Sequence, residues 1–414
     1  MRLLLTVLAF VLLSLIGAKL GFRSRRASLG FRLFVSSGSQ FVLIGFLLGP
    51  RVAGLVTTSV TDSLAPFIAL GLGWIGLLFG LQFDRNDLRT FSRREHAVVG
   101  VQALVTWTLL AAGLTGLLLL AGTNDVGSLA AACAAAAAGC ASSPTGTAVV
   151  FGSARVSGPM SRLASLATSL DGAIAIALLA GVYAVAHPGV AAPLLDIGFL
   201  RWILAPILLA LLFGWTFLSL SREKPPAEEF VLFLLALALI LAGTSLSLAS
   251  SALFASWLTG VFIANLSPLR KRVYAALSAW EKPVHVLFLL VAGALLGFES
   301  WHVAPLLAVY LVLRTAGKLL GGASARPLLA PEKGAGRFGA TLLSQGGVSI
   351  AIAMSARLVL GSEFPESPAV SAFFDAVILG IIVFEVMGPA IMRRTLDRAG
   401  EIRDQESAPG AGSG

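Results

Sequence analysis

Long apolar runs follow one another through nearly the whole chain, and charged residues are almost confined to the short segments between them. A helix that spans a bilayer needs about 20 mainly apolar residues. Only 12% of the 414 residues are charged and 57% are hydrophobic, so water-soluble domains of this size would lack a sufficiently polar surface. The sequence therefore predicts an all-α polytopic membrane protein with about thirteen transmembrane helices, at residues 3–22, 31–49, 62–83, 97–121, 127–151, 164–186, 198–220, 229–249, 252–267, 283–298, 302–322, 335–360 and 369–392.

Basic residues are distributed unevenly between the segments that join these predicted spans. Of the 30 Lys and Arg residues, 24 fall on one side of the membrane and 4 on the other, and Arg314 and Lys318 lie within the eleventh span. Because short basic loops stay in the cytoplasm, this count predicts that the N-terminus is outside and the C-terminus is cytoplasmic. The predicted transmembrane domain covers residues 1–396, and residues 397–414 are predicted to form a short disordered cytoplasmic tail.

Two of the predicted spans contain residues that interrupt a helix. The fifth has Pro144 and Gly146, and the twelfth has Gln345 followed by Gly346 and Gly347, so unwound backbone is expected in both. Spans five and twelve run in opposite directions, and broken helices at corresponding positions of two inverted repeats indicate the binding site of a secondary transporter. Ordinary kinks are the alternative. Hydroxyl groups accompany both breaks, at Ser142, Ser143, Thr145, Thr147, Ser344 and Ser349.

A few charged residues lie inside the predicted spans, where they are costly. Asp171 in the sixth span is expected at a depth similar to that of both breaks, and Arg314 and Lys318, four residues apart, share one helix face. A buried structural ion pair is the alternative to a transport site. Glu385 is expected to pair with a base or to cap a broken helix, with a second proton-linked role as the alternative. Asp375 lies nearer the outer end of its span and is expected to be solvated.

Several motifs occur in an order that covers residues 3–396. Together they resemble the bacterial monovalent cation:proton antiporter superfamily, the family with the sodium/hydrogen exchanger fold. The segments that carry the resemblance are QFVLIGFLLGP, IALGLGWIGLLFGLQFDRNDLR, SSPTGTAVV, SLDGAIAIALL, LFASWLTGVFIANLS and RTAGKLLGG.

This resemblance implies a dimerisation domain and a core domain in which the fifth and twelfth spans cross. Asp171 matches the aspartate that alternately binds a proton and a cation, and Lys318 matches the basic residue of the electrogenic branch. By the same resemblance, Arg314 is expected to take the role that an arginine plays in the electroneutral branch. Two positions depart from the family pattern, because Leu170 and Ser143 stand where polar or acidic residues are frequent.

The expected activity is exchange of Na⁺ or K⁺ for H⁺ by alternating access, with hydroxyl and carbonyl oxygens near Asp171 as cation ligands. Leu170 in place of a second carboxylate favours electroneutral exchange, whereas proton release from Lys318 would make exchange electrogenic. A cation channel or a non-exchanging sensor on the same fold is the alternative function. No enzymatic activity, cofactor, bound metal or nucleic-acid partner is expected. The resemblance implies a homodimer in the bacterial inner membrane.

Overall fold

The computed structural model describes residues 38–54, 64–186, 197–221, 226–248, 250–297, 303–328 and 335–403. The predicted first span, 3–22, and residues 404–414 of the predicted tail lie outside these ranges. The α-helices are α1 Ser39–Leu48, α2 Ala65–Gly80, α3 Arg85–Leu88, α4 Arg93–Leu120, α5 Val126–Cys140, α6 Pro144–Ser153, α7 Pro159–Ala186, α8 Ile197–Leu220, α9 Ala227–Ser247, α10 Ala252–Leu266, α11 Arg270–Ala279, α12 Glu281–Ala294, α13 Val303–Ser324, α14 Gly347–Glu363 and α15 Pro368–Arg398. Two 3₁₀ helices, Arg326–Leu328 and Ala335–Leu342, and two short strands, β1 Arg155–Val156 and β2 Ile402–Arg403, complete the described structure.

Several of these helices are suited to cross a membrane. Within the described ranges, seven helical stretches are long and apolar enough to do so, and an eighth is added if α11 and α12, which meet at a 49° bend, form one span. Helices α2 and α10 are apolar but shorter. The chain is therefore a multi-pass membrane protein, and the count of thirteen spans stays a prediction.

Helix α5 lies at the centre of one group of helices. Its sequence is rich in alanine, and nearly all of its residues are buried against α4, α7, α14 and α15. Small side chains allow neighbouring helices to approach closely, which is how helices associate inside a membrane where burial of apolar surface gives little driving force. This packing brings the C-terminal end of α5 close to α7 and α13.

A second group of helices forms around α2, which packs against α9 and α10. The contact between α2 and α10 depends on glycine, since a Cβ atom on Gly80 would lie 2.2 Å from the carbonyl oxygen of Trp257. A Cβ atom on Gly260 would similarly lie 2.5 Å from the carbonyl oxygen of Leu77. Helix α8 contacts both groups, through α10 and α7.

The C-terminal end of the described chain corrects the predicted start of the tail at residue 397. Helix α15 continues to Arg398, and β2 then pairs antiparallel with β1, with Ile402 opposite Val156. The buried carboxylate of Glu401 accepts hydrogen bonds from the backbone N–H groups of Met160 and Ser161, both at 2.8 Å. The first N–H groups of a helix have no partner within it, and Glu401 supplies acceptors for two of them in α7. Residues 397–403 therefore belong to the packed structure.

Candidate functional site

The site is built around the C-terminal end of α5. The last four carbonyl groups of an α-helix have no partner within the helix, and in α5 these belong to residues 138–141. Side chains from α13 and from the segment before α14 donate to all four. The bonds run from Gln345 Nε2 to Ala138 (2.9 Å), from Arg314 Nε to Gly139 (3.0 Å), from Lys318 Nζ to Cys140 (2.6 Å) and from Arg314 Nη2 to Ala141 (3.2 Å).

Two non-helical segments meet at this point. Residues 141–143 separate α5 from α6, and residues 343–346 separate the 3₁₀ helix Ala335–Leu342 from α14. The backbone N–H of Ser143 donates to the carbonyl of Ser344 at 2.9 Å. The approach is close, because a Cβ atom on Gly346 would lie only 2.5 Å from Ser143 Oγ. The interruptions predicted at Pro144 and at Gly346 thus lie beside each other, whereas their opposite directions across a membrane stay a prediction.

Asp171 and Lys318 form an ion pair beside these segments. Both side chains are fully buried, and Lys318 Nζ lies 2.6 Å from Asp171 Oδ2. The hydroxyl of Ser142 links the two, because it donates to Asp171 Oδ2 at 2.7 Å and accepts from Lys318 Nζ at 2.9 Å. Burial of a lone carboxylate is very costly, so pairing and hydrogen bonds of this kind are required to hold the charged form.

Two polar residues of α4 complete the surroundings of the pair, and the sequence analysis missed both. In the orientation that satisfies its neighbours, the amide of Gln102 donates to Asp171 Oδ1 at 3.0 Å and accepts from Lys318 Nζ at 3.2 Å. Thr106 accompanies Gln102 and donates to the carbonyl of Gly317 at 3.0 Å. Their signal in the sequence is a Gln and a Thr four residues apart, and so on one face, in an otherwise apolar run.

Arg314 lies in the same network but has different partners. Its guanidinium donates to the carbonyls of Gly139, Ala141 and Leu343, the last at 2.7 Å, and its Cζ lies 4.3 Å from the centre of the Phe384 ring. These carbonyls end α5 and the 3₁₀ helix. Since the C-terminal end of a helix carries a partial negative charge, Arg314 neutralises helix ends and holds the two non-helical segments together.

The hydroxyl residues predicted as cation ligands do not all reach the pair. Ser142 does, whereas Ser143 caps α6 by accepting from the N–H of Gly146 at 3.0 Å. Thr147 is buried and donates to the carbonyl of Ser143 at 3.3 Å. Thr145 is exposed, which corrects its predicted place in the site: α6 begins at Pro144, and its first turn directs Thr145 away from the buried side.

Three buried oxygen atoms near the second segment have no hydrogen-bond partner in the described part of the chain. They are Ser344 Oγ, Gln345 Oε1 and Ser349 Oγ. Buried polar atoms are nearly always satisfied by protein, water or an ion. Hydroxyl and amide oxygens are also the ligands that hard cations prefer. The second segment and the first turn of α14 therefore offer acceptors that a cation or water would satisfy.

The remaining predicted acids lie on α15. Glu385 is largely buried beside the second segment, where its Oε1 would lie 3.9 Å from a Cβ atom on Gly346. Asp375 is 2% exposed and accepts from the backbone N–H of Gly297 at 3.2 Å, which corrects its expected solvation. Gly297 lies just after α12, and its approach to α15 contributes to this burial.

Solved structures of other proteins share this overall fold. The structure is similar to that of the sodium proton antiporter MjNhaP1 from Methanocaldococcus jannaschii at pH 8, with a TM-score of 0.69 and 14% identity over 96% of this chain and 99% of that chain. It is also similar to the structure from an electron-microscopy map of the same antiporter, with a TM-score of 0.60 and 14% identity over 88% and 92% of the two chains. At this identity the likeness shows a shared fold.

A search of curated protein sequences gives no match. The family model described as "Sodium/hydrogen exchanger, transmembrane" matches residues 4–394, which is nearly the whole chain. On this match, the chain belongs to the sodium/hydrogen exchanger family.

Proposed function

We propose that the protein is a secondary active antiporter that exchanges Na⁺ or K⁺ for H⁺ by alternating access, with Asp171 as the carboxylate that both ions share. The observation that carries this proposal is the fully buried Asp171–Lys318 pair, at 2.6 Å, beside two non-helical segments. Membership of the family supports the exchange of a cation for a proton.

The contacts of Lys318 support the proposed access of a cation to Asp171. Lys318 Nζ also donates to the carbonyl of Cys140 and to Ser142 Oγ. If it moves away from the carboxylate, these two acceptors still satisfy it, so release does not leave a buried ammonium group without hydrogen bonds. In the unloaded protein Lys318 therefore acts as an internal counter-ion, and a bound cation or a proton replaces it.

Competition for one carboxylate couples the two fluxes. A carboxylate that holds a proton has little affinity for a monovalent cation, and one that holds a cation is not protonated. Oxygen ligands for the cation come from Asp171 and Ser142, with Ser344 Oγ and Gln345 Oε1 as the nearby unsatisfied acceptors. Only the core helices with a neutralised site move across the membrane.

The test is transport in everted membrane vesicles with a pH-sensitive dye. Asp171→Asn keeps the size of the side chain but cannot exchange a proton for a cation, so we expect cation-induced dequenching to fall to the level of vesicles without the protein. Asp397→Asn, at an exposed position of α15, is the matched control and should transport normally. Undiminished exchange by Asp171→Asn, with Na⁺, K⁺ and Li⁺ tested across pH, would overturn the assignment.

The same vesicles separate exchange from the alternative functions. A channel would conduct the cation without moving protons, and a sensor would move neither. For the antiporter we expect proton counterflow that depends on the cation and that disappears with Asp171→Asn.

The proposal includes an arrangement in the membrane. We place the protein as a homodimer in the bacterial inner membrane, with the N-terminus outside and the C-terminus in the cytoplasm. The distribution of 24 basic residues against 4 supports this orientation. Labelling of Ser413→Cys in a background without Cys133 and Cys140 should require access from the cytoplasmic side, and chemical cross-linking in membranes should give a dimer.

A further inference from the structure

A large cavity lies away from Asp171, where the chain that follows α2 meets the start of α4 and the end of α10. It is open to its surroundings and has a volume of about 710 Å³. Three arginines, Arg85, Arg89 and Arg93, line it together with aromatic side chains that include Phe83, Phe91 and Trp257. The lining of the cavity thus combines basic and apolar side chains.

The acids near this cavity are engaged by arginines that do not line it. Asp84 and Asp87 both pair with Arg270, the second at 2.9 Å. Glu95 pairs with Arg162 at 2.8 Å, and no carboxylate is among the cavity-lining residues. The positive charge of the three lining arginines is therefore not neutralised by these acids.

The exposed guanidinium groups of the three arginines are the hydrogen-bond donors that this cavity presents. Asn265, the neutral polar residue of the wall, is already occupied: its amide nitrogen donates to the carbonyls of Phe83 and Val261, and its oxygen accepts from the N–H of Arg85. The cavity therefore suits an anion rich in acceptor oxygens and does not suit the transported cation.

We propose that this cavity binds the phosphate-bearing headgroup of an anionic glycerophospholipid. Arginine forks match phosphate oxygens, with two donors directed at each anion. Basic pockets between transmembrane helices are a known way to hold anionic lipid headgroups. The aromatic wall and the position of the cavity at the ends of apolar helices favour a lipid over free phosphate, because glycerol and the first methylene groups need an apolar surface.

The position of the cavity gives the lipid a defined contact with the fold. Arg93 and His96 belong to α4 of the helix group that surrounds α5, whereas Trp257 and Val261 belong to α10 of the group around α2. One bound lipid therefore contacts both groups. The site shares no residue with the Asp171 network, so the proposal does not depend on the proposed antiport.

The test measures binding of phosphatidylglycerol to the purified full chain in detergent, by native mass spectrometry after removal and readdition of lipid. Phosphatidylcholine with the same acyl chains and inorganic phosphate are the other two probes. For the triple variant Arg85→Gln/Arg89→Gln/Arg93→Gln we expect phosphatidylglycerol binding to weaken by about tenfold or more, since each basic residue near the headgroup contributes to binding.

The matched control removes the same amount of charge elsewhere. Arg94→Gln/Arg326→Gln/Arg398→Gln changes three exposed arginines that do not line the cavity, and it should bind phosphatidylglycerol like the natural chain. If the cavity triple variant fails to fold, the single variant Arg89→Gln, compared with Arg94→Gln, should still lose affinity.

Three outcomes would overturn the proposal. The first is equal weakening in the cavity and control variants, which would mean unspecific attraction to basic protein. The second is equal binding of phosphatidylglycerol and phosphatidylcholine. The third is full competition by inorganic phosphate at matched concentration, which would assign the cavity to a free anion. Selective loss in the cavity variants with phosphatidylglycerol alone supports the lipid site.

Discussion

The two buried bases of α13 lie four residues apart on one helix face, but their surroundings differ. Around Arg314, the described hydrogen bonds run to backbone carbonyls, which are fixed dipoles without a titratable proton. Lys318 Nζ instead donates to one carbonyl, to one hydroxyl and to the carboxylate of Asp171. Equal burial and equal charge therefore serve two purposes: Arg314 holds the two non-helical segments together, and Lys318 balances a charge that is able to change. The predictions below test this distinction.

The largest effect is expected from Arg314→Met. Methionine replaces the apolar stem of the arginine but leaves three buried carbonyls without donors. Each unsatisfied group costs about 1–3 kcal/mol, so we expect the free energy of unfolding to fall by about 3 kcal/mol or more. The loss should depend on pH less than that of Lys318→Met, because the carbonyls that lose their donor do not titrate. Thermal unfolding in detergent measures it, and Arg314→Lys, which reaches fewer carbonyls, should be intermediate. An unchanged melting temperature in Arg314→Met would contradict the structural role assigned to Arg314.

Lys318→Met should cost about 3 kcal/mol at neutral pH, the low end of the range for breaking a buried ion pair, and its effect should depend on pH. Without Lys318, the buried carboxylate of Asp171 is able to become neutral by binding a proton. The folded variant then holds a proton that the unfolded chain does not hold at neutral pH, so its stability should fall as pH rises, by up to about 1.4 kcal/mol per unit.

The control for this prediction is the double variant Lys318→Met/Asp171→Asn. It removes both charges, and the pH dependence should disappear with them. If Lys318→Met alone shows the same stability from acidic to alkaline pH, the contrast between the two bases is wrong.

Gln102→Leu should have a smaller effect. The variant removes one donor to Asp171 and one acceptor for Lys318 but leaves the ion pair and Ser142 in place. We expect a loss of about 1 kcal/mol in unfolding free energy, the usual contribution of a buried hydrogen bond. Gln102→Glu brings a second carboxylate beside Asp171, so its unfolding free energy should change with pH, unlike that of Gln102→Leu. If Gln102→Leu destabilises the protein as much as Arg314→Met, the ranking is wrong.

The smallest effect is expected at the far end of α5, where Asp125 caps the helix. Hydrogen bonds from the side chain and then the backbone N–H of Ser128 hold the pKa of Asp125 below its ordinary value of 3.8. A lowered pKa in the folded state adds stability above the ordinary pKa, and this stability is lost as pH falls through the folded value.

Asp125→Ala should therefore cost about 0.5 kcal/mol at neutral pH and less below pH 3.8. Melting temperatures at neutral and acidic pH measure the difference. Exchange activity should remain, because the carbonyls at the other end of α5 keep their donors. Loss of transport would show that the site tolerates far less change in α5 than its hydrogen bonds indicate.

The sequence predicted the site best where a single charged residue is energetically costly in an apolar span. A lone Asp171 in an apolar run is costly, and so is a pair of bases four residues apart in another span, which is why these three residues could be identified. In the structure Lys318 pairs with Asp171, and Arg314 binds carbonyls of the same network. The apolar runs likewise predicted helices such as α10, whose observed bounds, Ala252–Leu266, nearly coincide with the predicted 252–267.

Other parts of the site could not be predicted because backbone groups carry no signal in the sequence. The carbonyls of residues 138–141 become acceptors only because α5 ends at Cys140. Ser142 and Thr145 both offer a hydroxyl group in the same motif, so the sequence does not distinguish them. The direction of the chain after the break buries Ser142 and exposes Thr145. Glu401 follows a stretch of polar composition, and only the position of the α7 N-terminus explains its burial.

The contact of Glu401 with α7 has a mechanical consequence. Helices α7 and α15 are joined at one end by two hydrogen bonds to a single carboxylate and by the pairing of β1 with β2. Sliding one helix past the other by a single residue, about 1.5 Å, would break these bonds. Movement of α7, which carries Asp171, along its axis would therefore strain its connection to α15.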